Sequence, residues 1–378
     1  MDKKTIEFGE LRISSVARNH VEDCLNKNWV SMGEKVRLFE NKWSDTFNYP
    51  HTVMFSSGTS ANQAALMSLD LEPGAEVLCP ALSFIATANS IRAAGYTPVF
   101  VDVDKETLNI SKDEIVNTFS KYRTKAIMGV NLMGKPCCMD VLSDLASSHH
   151  LPFIIDNCEA YGCSKTACYS LDFADMETTS HYIAHIICCG EGGTVSAKTQ
   201  YYKDKLKSVR SHGREPDSVY FDHQRFGLNL KPSDLHASIG LGEIDNFIDI
   251  FTKRKANIQA FRNAVVGYEN KAYFVEEDRG DINAPHGFSI TLKEEFANED
   301  NIMVLTSILQ GANIHWKRNF GSMPHHKAFK YLGYSKDSMP NARYIGKYGI
   351  HIGCHYWLTD DDIDYVCHYL KLALETLK

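Results

Sequence analysis

The sequence lacks three things, and each absence closes off a class of function. No uninterrupted apolar stretch approaches the roughly 18 residues of a membrane span, so no membrane partner is expected. There is no basic excess: 47 acidic residues face 40 basic ones, for a net charge of -7. Generic binding to nucleic acid or to an anionic membrane needs a basic field, so nucleic acid is not an expected partner either. Any phosphate the chain holds must be held by local geometry. No CxxC pair with matching histidines accompanies the eleven cysteines, so no metal is indicated. Their odd number, and the adjacent pairs Cys137-Cys138 and Cys188-Cys189, argue against a disulfide framework; they read as small buried hydrophobes in a reducing cytoplasm. The opening MDKKTIEFGELRISS has no apolar run before a cleavage site, which predicts no signal peptide and a cytoplasmic location.

What is present is ordinary globular material: 378 residues, 44% apolar, with a mean hydropathy of -0.28. A single core stops growing beyond about 250–300 residues, so two domains are expected. Short apolar runs at 51–55, 75–80, 97–103, 125–131 and 152–156 alternate with helical patterns such as SANQAALMSL and FIATANSIRAAG. That alternation predicts an α/β fold with a mostly parallel central sheet flanked by helices. Ligands of such sheets sit beyond the carboxyl ends of the strands. Near residue 250 the texture changes to one long amphipathic pattern, 244 to about 266, followed by strand candidates HGFSITL and ANIHWKRNF and a final helix. The expected division is a large domain, 1–249, and a smaller α+β domain, 250–378, with the opening helix (14–27) packed against the latter.

Three stretches carry chemistry. Ser56-Ser57-Gly58-Thr59-Ser60 lies between a strand and a helix, where free N–H groups and hydroxyls suit a phosphate, although the same residues also serve as ordinary helix caps. Asp156 ends a buried strand, where a carboxylate needs a positive partner: a structural cation or a protonated pyridine nitrogen. Ser180-His181-Tyr182-Ile183-Ala184-His185 runs into the glycine-rich turn Gly190-Glu191-Gly192-Gly193.

Together with Pro80-Ala81-Leu82-Ser83-Phe84, Trp29-Val30-Ser31-Met32-Gly33, His212-Gly213-Arg214 and Gly227-Leu228-Asn229-Leu230-Lys231, these stretches resemble the pyridoxal-phosphate-dependent sugar aminotransferase superfamily of fold type I over nearly the whole chain. The resemblance implies a smaller C-terminal domain of α+β type and a homodimer with shared active sites. One departure stands out: the family's cofactor-binding lysine falls on His185. Imidazole has no primary amine for the cofactor's aldehyde, so pyridoxal 5'-phosphate and its pyridoxamine form would be bound non-covalently. Lys165 and Lys198, the nearest lysines in sequence, lie outside the motif frame. His181, after Ser180, stands where the family has an aromatic, and 162–175 is abbreviated.

A histidine at this position marks the family's 3-dehydratase branch, which the stretches 130–136, 156–160 and 341–345 also resemble. That branch removes the 3-hydroxyl of a nucleotide-linked 4-keto-6-deoxyhexose, here matched to GDP-4-keto-6-deoxy-D-mannose, with L-glutamate regenerating the amine form of the cofactor. By the same resemblance His185 is the catalytic base, and Ser57, Gly58, Thr59 and Ser180 bind the phosphate. Phe84 stacks on the pyridine face, Asp156 pairs with the ring nitrogen, and Glu159 lies near the 3-hydroxyl. Asn229 reaches the neighbouring subunit's cofactor phosphate, and His212, Arg214 and Arg318 are candidates for the sugar nucleotide. The choice of histidine has a physical basis of its own. At pH 7 a lysine of pKa about 10.4 is a free base roughly once in 2,500 molecules, whereas a histidine of pKa about 6.5 is mostly neutral. Two other readings remain open: an aminotransferase whose lysine has been replaced, and a non-catalytic cofactor-binding protein.

Overall fold

The computed structural model describes residues 4–215 and 222–378. Seven strands form the larger sheet: β1 (His51–Phe55), β2 (Glu76–Pro80), β3 (Thr97–Val101), β4 (Thr124–Val130), β5 (Phe153–Asp156), β6 (Met176–Ser180) and β7 (Gly193–Ala197). Their order is β1-β7-β6-β5-β4-β2-β3. From β6 to β3 all pairings are parallel, and only β7 runs against its neighbours. The mostly parallel sheet read from the alternation is thus present.

The strand sequences explain why both faces are covered. Ala126, Met128 and Val130 of β4 enter one apolar core, while Ile127 enters the core on the opposite face. Ile154 of β5 likewise faces away from Phe153 and Ile155. Continuous apolar runs are what a two-sided parallel sheet requires. β6 escaped the sequence reading because Met176-Glu177-Thr178-Thr179-Ser180 is nearly all polar. It is buried throughout, with side-chain partners for most of those groups: Asn157 donates to Glu177 Oε2, Thr178 donates to Asn62, and Thr179 pairs with Thr194.

Four further strands, β8 (Ala272–Phe274), β9 (Gly287–Leu292), β10 (Trp316–Arg318) and β11 (Gly349–Gly353), make an antiparallel sheet of order β10-β11-β9-β8. Helices Phe247–Ala264, Glu299–Gly311 and Asp360–Thr376 supply Phe261, Leu305 and Leu370 to its core. The helix expected from 244 to about 266 is present as Phe247–Ala264, and a separate helix, Asp234–Ile244, runs up to its start. At the break, the Asn246 amide donates to the Gly242 carbonyl at 3.1 Å, offering the backbone a local alternative to continuing the helix.

The opening helix, Ser15–Asn26, does not pack on the smaller sheet as expected. It lies on Asp234–Ile244, with Cys24 Sγ 3.4 Å from Ser238 Oγ. A Cβ at Gly242 would come within 2.8 Å of Ala17 Cβ, so small residues on both helices set this close approach. The segment before the helix makes the contact with the smaller sheet instead. Ile6 N donates to Asn313 O and His315 N to Ile6 O, both at 2.9 Å. All eleven cysteines are unpaired thiols, eight of them buried. Among the described residues no helix is long and apolar enough to cross a membrane.

Candidate active site

The carboxyl ends of β4, β5 and β6 and one face of the smaller sheet enclose a cavity of about 440 Å³. Its most ordered wall is the start of the helix Gly58–Met67. Ser57 is extended and caps that helix, its hydroxyl accepting from Ser60 N at 3.1 Å. This leaves the N–H groups of Gly58 and Thr59 at the open end, where an anion is favoured. Ser180, at the end of β6, closes in from the side: a Cβ at Gly58 would stand 2.5 Å from Ser180 Cβ. Glycine is needed here for that approach.

Asp156 lies on the cavity floor at 4% exposure. Its Oδ2 accepts from Asn62 Nδ2 at 2.8 Å and Thr87 Oγ1 at 2.9 Å, and its Oδ1 accepts from Cys158 N at 3.1 Å. All three donors are neutral, and among the described residues no cationic side chain forms an ion pair with it. A buried carboxylate held in place without a cation suits a positive group entering the cavity, such as a protonated pyridine nitrogen. Phe84, 57% exposed, offers a ring face at the rim. Glu159 Oε2 accepts from Met133 N at 3.0 Å, an N–H presented by a turn in which Met133 has φ +54°. Burial, and secondarily the nearby Asp156, raise the Glu159 carboxyl to about 7 against the opposing Met133 hydrogen bond and Lys317 charge. The residues present therefore fit a phosphorylated pyridine.

His185 Nδ1 lies 3.0 Å from the Ser180 carbonyl oxygen and donates to it. The lone pair is thereby assigned to Nε2, on a ring that lines the cavity. Burial pushes this histidine down to about 4; the bond to Ser180 opposes the shift, and the positive charges of Arg254 and Lys317 add to it.

Of the opposite wall, the sequence marks only Arg318, on the strand that also carries Lys317. Lys317 and His351 are paired across β10 and β11, and His351 is paired with Ser289 of β9. Lys317 Nζ stands 4.2 Å over the Phe8 ring, and His351 Nδ1 is 3.0 Å from Asn319 Oδ1. His286, just before β9, has its ring centroid 5.3 Å from that of His185 and its Nε2 3.4 Å from Glu159 Oε1. Burial is the main cause holding both His286 and His351 well below the ordinary histidine range. A chain-wide count of histidines gives no local signal for these two; only the packing of one sheet against the other reveals them.

Of the residues singled out from sequence, Ser57, Gly58, Thr59, Phe84, Asp156, Glu159, Ser180, His185 and Arg318 all line this cavity. Arg318 is exposed, and its Nη1 donates to the Lys347 carbonyl at 2.8 Å. His212, Arg214 and Asn229 do not line it. They lie on a surface segment where Ser211 bridges to Asn229 and Arg214 to His223, and the exposed Asn229 caps Lys231 N at 3.4 Å. His181 points away from the cavity into the aromatic cluster of Phe39, Trp43 and Tyr161.

Comparison with known proteins bears on the family and the fold. The model of the DegT/DnrJ/EryC1/StrS aminotransferase family matches residues 12–371. A GDP-perosamine synthase of Escherichia coli O157:H7 is 33% identical over 254 residues, covering 67% of this chain and 69% of that protein. A GDP-4-keto-6-deoxy-D-mannose 3-dehydratase of Yersinia pseudotuberculosis is 25% identical over 377 residues, covering 93% and 95%. Among solved structures, the E. coli GDP-4-keto-6-deoxy-D-mannose-3-dehydratase with bound hydrated pyridoxal phosphate superposes with a TM-score of 0.87 at 24% identity, covering 97% of this chain and all of that one.

Proposed function

The chain belongs to that aminotransferase family, and we propose that within it this protein is a nucleotide-sugar 3-dehydratase rather than an aminotransferase. The proposed substrate is a GDP-linked 4-keto-6-deoxyhexose such as GDP-4-keto-6-deoxy-D-mannose, and the product is the 4-keto-3,6-dideoxy sugar. One observation carries the reading: His185, which by the sequence resemblance falls in the frame of the family's lysine, has Nδ1 tied to the Ser180 carbonyl and Nε2 available as a base in the cavity.

The cofactor is pyridoxal 5'-phosphate and its pyridoxamine form, held without a covalent bond; when bound, it supplies an amine for the sugar's keto group and a ring that accepts electrons. The chain's own residues do the rest. Gly58, Thr59, Ser57 and Ser180 hold the phosphate, and Asp156 keeps a positive ring nitrogen charged. Phe84 covers the ring face, and Glu159, set beside Met133 N–H, is a partner for the ring hydroxyl. His185 Nε2 accepts a proton as a neutral base and, once charged, donates one to the departing hydroxyl. Without a primary amine at position 185 there is no group to displace an aminated product, so loss of the hydroxyl is favoured over amination. His212, Arg214, Arg318 and Asn229 belong to the proposal as contacts completed by sugar nucleotide or by a second subunit. L-glutamate is the proposed donor that restores the amine form, and a homodimer with shared sites the proposed assembly.

The aminotransferase reading is favoured by one observation, the GDP-perosamine synthase likeness. A single incubation separates the two. With pyridoxal phosphate, glutamate and GDP-4-keto-6-deoxymannose, the sugar should lose one oxygen atom by mass spectrometry. An aminated sugar would establish the aminotransferase reading instead, and binding without any turnover a non-catalytic one.

A further inference from the structure

The proposed reaction leaves one buried cation without a task. Arg254, on the helix Phe247–Ala264, is 3% exposed. Its Nε donates to the Pro285 carbonyl at 2.8 Å, and its Nη2 to the carbonyls of His286 at 2.8 Å and Ala184 at 3.2 Å. The Cys354 thiol reinforces the same place, 3.3 Å from Pro285 O and 3.4 Å from His286 O. Among the described residues no carboxylate forms an ion pair with Arg254. A cation removed from water without a counter-charge is costly, and neutral donors could satisfy carbonyls more cheaply. What only a guanidinium provides is a rigid fork of donors able to span several acceptors at once.

The carbonyls it spans are informative. Ala184 immediately precedes His185, whose ring is anchored on its other side to Ser180; His286 carries the ring beside that of His185. We infer that Arg254 is a positioning residue for the base: one side chain ties the turn carrying His185 to the segment carrying His286 and so fixes where Nε2 stands in the cavity. The charge acts in the same direction, since a fixed cation disfavours a second one on the neighbouring imidazole. Other groups face this histidine too. Lys317, Glu159, Glu191 and His286 do so across the main cavity, and His181 lies behind it. Arg12, Glu10, Cys188 and Glu243 line a second cavity of about 320 Å³ that His185 and Arg254 also border. Of these, Arg254 alone both binds the turn and carries charge beside the ring.

This deepens the dehydratase reading, because it concerns the same histidine, but it can be tested without any sugar being turned over. The probe is an NMR titration of 13C-labelled histidines in the cofactor-loaded protein, with the His185 signal assigned by its loss in His185→Asn. The native midpoint should lie below the ordinary histidine value of about 6.5, as burial dictates. Arg254→Lys keeps the charge but cannot span three carbonyls, so the midpoint should stay low while kcat falls about tenfold or more with KM little changed. Arg254→Met removes both effects, so kcat should fall as in Arg254→Lys and the midpoint should rise above the native one, by less than the whole shift because burial, its larger cause, remains. A merely structural arginine would cost stability in both variants yet leave midpoint and kcat native in the folded protein, and that result overturns the inference. Arg254→Lys, which keeps the charge, remains decisive if Arg254→Met does not fold: a folded Arg254→Lys protein with native kcat overturns the inference. If the dehydratase reading alone fails, the native protein converts no sugar while the order of the midpoints still holds.

Discussion

His185 gives its Nδ1 proton to the carbonyl of Ser180, five residues earlier, at 3.0 Å. A carbonyl can only accept, so this contact fixes the tautomer and leaves the other nitrogen basic. It also joins the proposed base to the proposed phosphate-binding serine within one turn. Movement of either residue is felt by the other.

Replacing that imidazole by a primary amine should change how the cofactor is held. His185→Lys should form a bond with pyridoxal phosphate that borohydride reduces, adding the cofactor's mass to the peptide containing residue 185. Recovery of that peptide unmodified would show that position 185 is not the family's lysine frame.

Gly58 is the residue that admits Ser180 to the helix start, since a Cβ there would meet Ser180 Cβ at 2.5 Å. Gly58→Ala should weaken binding of pyridoxamine phosphate by about tenfold, roughly 1.4 kcal/mol, with far-ultraviolet circular dichroism unchanged. Fluorescence titration measures this, and an unaltered Kd removes Gly58 from the phosphate site.

The Asp156 carboxylate has neutral donors and, among the described residues, no cationic partner. Asp156→Asn keeps the size but removes the charge that a pyridinium needs. Cofactor affinity and kcat should both drop, with kcat falling by about 100-fold or more. Native kcat in this variant would mean that the carboxylate is only structural.

His181 presents a different test, on stability. Both ring nitrogens are buried and, among the described residues, neither makes a hydrogen bond of good geometry, the Ile187 backbone only weakly opposing the effect of burial, in surroundings built by Phe39 and Trp43. His181→Phe should stabilise the protein by about 1–3 kcal/mol, read as a higher Tm. The sign of the pH dependence follows from burial, which pushes His181 down to about 3. Between the unfolded value of about 6.5 and that value, the unfolded chain binds a proton at this residue that the folded chain refuses. The native protein therefore loses stability at this site as pH falls below about 6.5, and the variant does not. The gap in Tm between them should widen from pH 8 to pH 5; a constant gap would mean that His181 has a partner in solution.

Much of the larger sheet could be read from the chain because β1 to β5 are continuous apolar runs whose ends carry Ser57, Asn131 and Asp156. β6 could not, since its stability rests on partners such as Asn157, Thr194 and Asn62, which its own sequence does not announce. The proposed site shows the same division. The residues that local motifs mark all come from the larger sheet or the turns that follow its strands, apart from Arg318. His286, Lys317 and His351 come from three short strands or their flanks, more than 100 residues after His185; Lys317 adjoins the candidate Arg318, but nothing beside His286 or His351 in sequence distinguishes them from other polar residues. Their meeting is a property of how two sheets pack. The opening helix was misplaced for a related reason: its small residues fit Gly242 and Ser238, a match visible only in three dimensions.

The pairing of Ile6 with residues 313 and 315 brings Phe8 under Lys317. In order of synthesis, these partners are separated by most of the chain. A growing polypeptide can complete the phosphate-binding turn, Asp156 and the His185 turn long before β10 exists. The wall that Phe8 and Lys317 share is therefore built from contacts about 300 residues apart in sequence, the kind of non-local pairing whose closure entropy must be met before it contributes stability. The cavity is enclosed on that side only where the segment at Phe8 meets the strand at Lys317.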